Sequence, residues 1–462
     1  MRVTLVNPPY PTPVMRRFVA SYFAPNFLLP PTDLLYAAAA ARELTGAETT
    51  IVDCIAKKLS DEQAVNAVAA SKPDVVFAQV GFATLENDLQ FCDRIKQATG
   101  ALVVAMGYLP TVYAREVMEA SQLDAIVRGE PELVFVELLR AWGDNAEPGE
   151  VEGLVLRKNG DIVFGPEPQR IADLDALPRP DHAGVDLHNY HEVLLGSPVA
   201  AIFTARGCPF ACTFCVRTYG RQLALRSAQS VVDEAAFIVN ELGVRNLRLM
   251  DDTFNIDRER VLAICAGLQK LQPLRWTALA RLDQVDEKTL RAMADSGCKR
   301  LYVGVESGSD HMLDVYKKGM NLETMRRGLA LIKAAGIEVS AFFIVGGPGE
   351  TRADFEASLA FAKQTKLDYV IVTRLQYWPG TELFETTEGI ETSIVPFVCR
   401  PADHAAYDKL LDLEREFYRR FYLRPAMIAR HFSRLLTHPR DLLRSVAKLA
   451  RYVFTRDERD FI

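Results

Sequence analysis

From residue 1 to about residue 145, short runs of aliphatic and β-branched residues alternate with longer stretches whose apolar positions recur at helical spacing. RVTLVN opens the series, and TTIVDC, DVVFAQVG, ALVVAMG and AIVRGE follow, with helical stretches such as LLYAAAAAREL and LENDLQFCDRIKQ between them. This alternation predicts a doubly wound parallel sheet. Sheets of that kind hold ligands in the crevice beyond the carboxyl ends of their strands. Here those ends carry Asn7 with Pro8, Gly81, Gly107, and Gly129 with Glu130.

The pattern changes between about residues 146 and 195, where Pro, Gly and charged residues dominate. LVLRK-NG-DIVFG predicts a hairpin, because Asn159-Gly160 suits the two positive φ angles of a type I′ turn. PEPQRIADLDALPRPD reads as an ordered linker. A second β/α series runs from about 196 to 395: VAAIFT, VRNLRLMDD, RWTALAR, RLYVGVE, IEVSAFFIVGG and DYVIVTRLQ. Six strands alternating with helices predict a partial (β/α)6 barrel with chemistry at the carboxyl ends of its strands. From about 396 to 462 the strands are expected to stop and the chain to continue as helix, with no internal repeat anywhere.

A chain of 462 residues exceeds what one hydrophobic core usually organises, so two or three domains are expected. Its apolar fraction of 49% and charged fraction of 25% are those of an ordinary globular protein. The opening MRVTLVNPPYP lacks the pattern of a secretory signal, and no apolar run approaches the ~18 residues that span a bilayer. A cytoplasmic location is expected. Eight cysteines, three of them within eight residues and the others scattered, do not form a disulfide framework.

The three clustered cysteines change the picture most. RGCPFACTFC spaces Cys208, Cys212 and Cys215 as C-x3-C-x2-C directly after the first strand of the second series. Three thiolates on one loop can hold three irons of a cubane and leave the fourth open. A zinc knuckle would want a fourth ligand, and no further Cys or His lies nearby. A redox C-x2-C would leave Cys208 unexplained. The motif, with Phe214 as its aromatic residue, resembles the signature of the radical S-adenosylmethionine (SAM) superfamily. The resemblance extends through MDDTF at 250–254, GVESGS at 304–309 and FFIVGGPGET at 342–351.

That resemblance implies a [4Fe-4S] cluster on Cys208, Cys212 and Cys215, and SAM contacts from Asp252, Glu306, Ser307, Gly346 and Gly347. Glu306 at a strand end can accept hydrogen bonds from ribose hydroxyls or the SAM ammonium. Gly346, Gly347 and Gly349 would let backbone approach adenine closely, or simply turn strand into helix. Asp251 and Asp252 could equally cap the next helix. LVNPP, the DVVFAQVG strand and DAIVRGEPELVFVELLRA make the first domain resemble the Rossmann-like cobalamin-binding domain found ahead of many radical SAM cores. The implied cobalamin contacts are Asn7, Pro8, Gly81, Thr84, Gly107, Tyr108, Gly129 and Glu130. A generic nucleotide-binding or structural α/β domain is the alternative.

One departure is informative. Where related domains often carry D-x-H-x-x-G, with a histidine below cobalt, this chain has DCIAKK, and its first histidine is His182. Bound cobalamin should therefore lack a protein histidine on its lower face; Tyr108 and a water both stay open as neighbours of cobalt. The resemblance implies radical methyl transfer to an unactivated carbon of a small-molecule or lipid substrate, with an electron donor such as a flavodoxin or ferredoxin. Because FYLRPAMIARHF looks like segments of ring-forming relatives, cyclisation or rearrangement of a tetrapyrrole or hopanoid-like lipid is an alternative. A cobalamin sensor is an alternative of another class.

The carboxyl-terminal region is basic, although the whole chain stands at −6. Leu442, Val446, Leu449 and Val453 form an apolar stripe on a helix. Docking on the barrel is favoured over peripheral contact with an anionic membrane. Nucleic-acid binding is not expected, since aromatics are not interleaved on a basic face.

Overall fold

Alternate residues of β1 (Arg2–Asn7) feed two separate cores, Val3 and Leu5 on one face of the sheet and Val6 on the other. The computed structural model describes residues 1–429 except 18–20, 24–26, 145, 147, 149, 150, 217, 218 and 426. Beside β1 lie β2 (Glu48–Asp53), β3 (Val75–Gln79), β4 (Leu102–Met106) and β5 (Ala125–Val127), all parallel, in the order β2-β1-β3-β4-β5. Helices Thr32–Thr45 and Pro131–Gly143 cover one face; Asp61–Ala70 and Leu85–Thr99 cover the other. The strand order reverses between β1 and β3, which opens a crevice at their carboxyl ends.

The expected hairpin forms over β6 (Leu154–Lys158) and β7 (Asp161–Phe164), with Asn159 at φ 51° and Gly160 at φ 90°. It does not lie apart in a linker. Burial of Leu154 and Val155 draws β6 against β5, antiparallel, and extends the first sheet to seven strands.

The second sheet holds β8 (Ala200–Ile202), β9 (Asn246–Leu249), β10 (Arg275–Ala280), β11 (Cys298–Glu306), β12 (Glu338–Val345) and β13 (Tyr369–Arg374). They are parallel and adjacent in chain order, the expected six-stranded partial barrel. The loop at 190–196 plugs its amino-terminal end. Tyr302 there donates to Glu192 (2.6 Å), and Arg275 donates to the carbonyls of Leu194 (2.6 Å) and Leu195 (3.1 Å).

An open barrel leaves two edges, and β13 is one of them. The helix His404–Tyr422 covers it with two tyrosines one turn apart. The hydroxyl of Tyr422 accepts from the Val370 amide (3.0 Å) and donates to the Val370 carbonyl (3.1 Å); Tyr418 does the same at Val372 (2.9 and 3.3 Å). Two side chains thus occupy backbone groups that another strand would have taken. Phe417 and Phe421 of the same helix are fully buried.

The expectation of helix alone beyond residue 396 needs correction. Val398–Pro401 pairs antiparallel with Ile390–Ser393 before the helix begins. Between them Val395 and Phe397 pack against the first domain, so tertiary burial holds this segment extended. The basic stripe from Leu442 to Val453 lies outside the described residues. Among those described, no helix is long and apolar enough to cross a membrane.

Changing Tyr418 or Tyr422 to Phe should leave buried backbone groups of β13 unpaired and cost about 1–3 kcal/mol each. Hydrogen exchange read by mass spectrometry should speed up at Val372 or Val370 respectively; unchanged protection would refute the edge-capping role.

Candidate active site

The three cysteines sit where β8 gives way to loop, and Gly207 sets the turn. Its φ is +90°, and a Cβ there would stand 2.1 Å from the Gln222 carbonyl oxygen, so only glycine fits before Cys208. The loop is tied back by Cys208 N to Gly220 O (3.2 Å), Thr213 N to Tyr316 O (3.0 Å) and Leu383 N to Thr213 O (3.0 Å). Phe214 meets Tyr316 edge to face at 5.3 Å, and the Arg281 guanidinium lies 3.5 Å from the ring centre of Phe210.

None of the three cysteines forms a disulfide, and Cys212 is buried whereas Cys215 is exposed. One tetrahedral zinc would pull its thiolates to within about 4 Å of one another, given Zn–S bonds of about 2.3 Å. Among the described residues no three Cys, His, Asp or Glu side chains gather as a single-ion site. Donors that each take a different iron of a cubane have no need to converge in that way. Three thiols on one short loop are the donor set of a cubane that keeps one iron open.

Asp252 belongs to this loop's surroundings. Its side chain is solvent-exposed, yet enclosing protein pushes its carboxyl up, Arg17 draws it down, and Asp251 adds to the rise. Exposure inside such an enclosure marks the wall of a cavity. Its charge also acts on Cys208 and Cys215, whose thiols are pushed up by burial first and by Asp252 next among the charges. Asp251 points elsewhere and accepts from the amides of Thr204 (2.6 Å) and Ala205 (2.9 Å). Neither caps the next helix, whose N-cap is Asp257.

Glu306 ends β11 at φ +64°, a left-handed conformation costly for a side chain with a Cβ, beside an irregularity in the strand register. Its carboxylate accepts from Lys318 at 2.7 Å, both side chains 8% exposed. Gly304 makes room for that pair, since a Cβ there would stand 2.1 Å from Glu306 Oε1 and 2.5 Å from Lys318 Nζ. Ser307 turns away from the cavity to Ser358 (3.0 Å). Gly346 and Gly347 both donate to Glu350, so their amides are taken up within the turn and the loop offers a ligand its peptide faces only. Among the described residues the buried Tyr316 hydroxyl beside Gly347 has no hydrogen-bond partner.

Across the cavity, four of the residues expected to touch cobalamin converge on one buried ion pair. Arg16 donates to Asp88 (2.7 and 2.9 Å), Thr84 (3.1 Å), Asn7 (2.9 Å) and the Pro8 carbonyl (2.8 Å), while Asp88 also accepts from the Gly81 amide (2.9 Å). These side chains form the floor of the crevice rather than free arms reaching into it. Gly107 packs against the Val80 carbonyl, and Tyr108 donates to the Pro379 carbonyl, joining the first domain to the barrel. Gly129 lies under Pro168.

Glu130 was expected at cobalamin and is found in a clamp. Arg206, two residues before Cys208, donates to Glu130 (2.7 Å) and to Glu132 (2.5 Å), with all three side chains 1% exposed. Arg170 also donates to Glu130. Burial opposes the charge on Arg206, but Glu132, Tyr219 and Glu130 outweigh it and push its pKa up. Tyr36 and Tyr219 flank the guanidinium, each 5.1 Å from ring centre to Cζ, and Tyr219 donates to Asp33 of the first domain (3.1 Å). Arg206, Lys318 and Tyr316 were missed in the sequence. Only the first left a signal, an arginine adjoining the cysteine motif.

Residues 202–362 match the profile of the Radical SAM superfamily, and residues 24–139 match that of the B12 binding domain. An uncharacterized methyltransferase of Pyrococcus horikoshii is 28% identical, covering 93% of this chain and 94% of that protein. The anaerobic magnesium-protoporphyrin IX monomethyl ester cyclase of Rubrivivax gelatinosus is 27% identical, over 94% of this chain and 80% of its own length. In fold, the chain is similar to the radical SAM methyltransferase TsrM from Kitasatospora setae, solved with cobalamin and a [4Fe-4S] cluster: TM-score 0.70, 20% identity, covering 85% and 81% of the two chains. The chain belongs to the cobalamin-binding radical SAM superfamily, as an enzyme with a B12-binding domain ahead of a radical SAM core and with a [4Fe-4S] cluster, SAM and cobalamin as its cofactors.

Proposed function

We propose that the enzyme transfers a methyl group to an unactivated carbon of a small-molecule substrate, with Cys208, Cys212 and Cys215 holding the cluster and the fourth iron left to SAM. The observation that carries this reading is the clamp from Arg206 to Glu130 and Glu132, which fastens the cysteine loop to the first domain. When bound, the cofactors supply hydrogen-atom abstraction and a transferable methyl group. The chain's own contribution is placement. Asp252 and the Glu306–Lys318 pair set two anions and one cation near the thiols, a complement to a zwitterionic amino-acid group. The peptide faces of Gly346 and Gly347 suit a flat ring.

Cobalamin in this reading occupies the crevice at β1 and β3, above the floor made by Arg16 and Asp88. Ile55 stands where a lower histidine ligand would be, and it is buried in the apolar core shared with the barrel. A cytoplasmic flavodoxin or ferredoxin would supply the electron.

Changing Cys208, Cys212 or Cys215 singly to Ala should abolish the brown [4Fe-4S] absorbance and SAM cleavage, because two thiolates cannot keep the cubane. Changing Cys54, Cys92, Cys265, Cys298 and Cys399 together should leave iron content near that of wild type. Full cluster in any single motif variant would defeat the ligand assignment.

Cob(II)alamin bound to the full chain should give an electron paramagnetic resonance spectrum without nitrogen superhyperfine splitting. Triplet splitting from an axial nitrogen would contradict a histidine-free lower face. Methyl transfer itself is tested by anaerobic turnover with deuterated-methyl SAM and host extract: a product heavier by the label is expected, and unlabelled cyclised product would refute it.

A further inference from the structure

Buried arginines in this protein are paired almost as a rule. Arg16 has Asp88, Arg206 has Glu130 and Glu132, Arg226 has Glu234, Arg281 has Asp283, and Arg300 has Glu338. Arg248 at the barrel axis breaks that rule, and the half-buried Arg17 beside it has no carboxylate partner either. Arg248, on β9 and 9% exposed, donates only to the Thr277 hydroxyl of β10 (3.2 Å) and lies 4.1 Å from the centre of the Tyr302 ring on β11. Arg17 comes down from the first domain, donates to the Met250 carbonyl above Arg248 (3.0 Å), and leaves its buried Nε with no partner. Among the described residues neither guanidinium has a carboxylate within ion-pair reach.

The neighbouring acids do not fill the gap. Glu192 is taken by Tyr302 (2.6 Å) and the amides of Leu194 and Leu195 (2.8 Å each), and Glu338 by Arg300 (2.7 Å). Asp252 exerts its pull on Arg17 from the cavity wall without an ion-pair contact. Burial lowers the pKa of Arg248, Tyr302 and Glu192 resist, and Arg17 and Arg300 press in the same direction as burial. Two like charges facing one another in a half-enclosed space are costly unless an anion joins them.

We propose that Arg17 and Arg248 bind an oxyanion, a carboxylate or phosphoryl group, carried by the substrate. Arg248 lies inside the barrel, level with Thr277, and Arg17 stands at the Met250 carbonyl, within reach of the charge on Asp252. Guanidinium forks match either oxyanion with paired hydrogen bonds. Anchoring the charged end between β9 and the first domain would hold the rest of the molecule across the gap between cluster and cobalamin crevice. The substrate class is thus a small organic anion. This deepens the methyl-transfer reading and rests on it.

The test is the thermal melting of full-length, cofactor-loaded protein in sodium phosphate, sodium acetate and sodium chloride at equal ionic strength. Phosphate or acetate should raise Tm by about 2 °C over chloride at saturation, and whichever does so identifies the oxyanion. Arg248→Met and Arg17→Met should lose that rise while melting in chloride no lower than wild type, since each removes a cation that has no carboxylate partner. Should a methionine variant fail to fold, Arg248→Lys keeps the charge and should retain a reduced rise.

No rise with either oxyanion, or an undiminished rise in the variants, would overturn the site. So would a rise that SAM suppresses, which would hand the pair to the SAM carboxylate. Cluster and cobalamin content are measured on the same samples. Failure to load cofactors sinks the functional reading, whereas full loading with no oxyanion effect sinks the anchor alone.

Discussion

Arg206 is the residue on which the arrangement of the molecule turns. Its guanidinium is fully buried between two domains, where a lone charge could not be kept, and it is held by two carboxylates of the GEPE segment and flanked by tyrosines. Because it stands two residues before the first cysteine, whatever fixes Arg206 also fixes the start of the cysteine loop. Glu130 and Glu132 open the helix that follows β5, at the carboxyl end of the first sheet. One buried interaction therefore sets the distance between the two cofactor regions. Removing one member would leave uncompensated charge in the interior, a loss of about 3–5 kcal/mol.

The same logic separates structure from function elsewhere. Arg16 with Asp88, and Arg226 with Glu234 and His182, are closed networks that join segments distant in sequence. Their guanidinium and carboxylate groups are spent on one another. Arg17, Arg248 and Asp252, by contrast, have no ion-pair partner among the described residues. Strain points the same way, since the left-handed Glu306 is held at a strand end next to its lysine.

Both sheets were legible because the alternation of apolar runs is a local signal, and the cysteine spacing is more specific still. The hairpin at 154–164 was legible from Asn159-Gly160, but its membership of the first sheet was not, because pairing with β5 depends on burial rather than on local pattern. The hairpin across 390–401 was missed for that reason: Phe397 is held extended by the first domain, to which nothing nearby in sequence points. Asn7, Gly81 and Glu130 were read at strand ends; Asn7 is the last residue of β1, and Gly81 and Glu130 lie just beyond β3 and β5. Which atoms they touch depends on Arg16 and Arg206, whose carboxylate partners Asp88, Glu130 and Glu132 lie more than 70 residues away. A motif shows where a ligand region lies, and only the fold tells which members are already spoken for.

The central claim is that one clamped cavity holds both cofactors side by side. It is tested most directly in full-length protein carrying cluster and cob(II)alamin, by the spin relaxation of cob(II)alamin before and after the cluster is reduced. Faster relaxation on reduction, with the enhancement weakened in Glu132→Gln, is the result this account predicts. Relaxation that ignores the oxidation state of the cluster in the wild-type enzyme would contradict it.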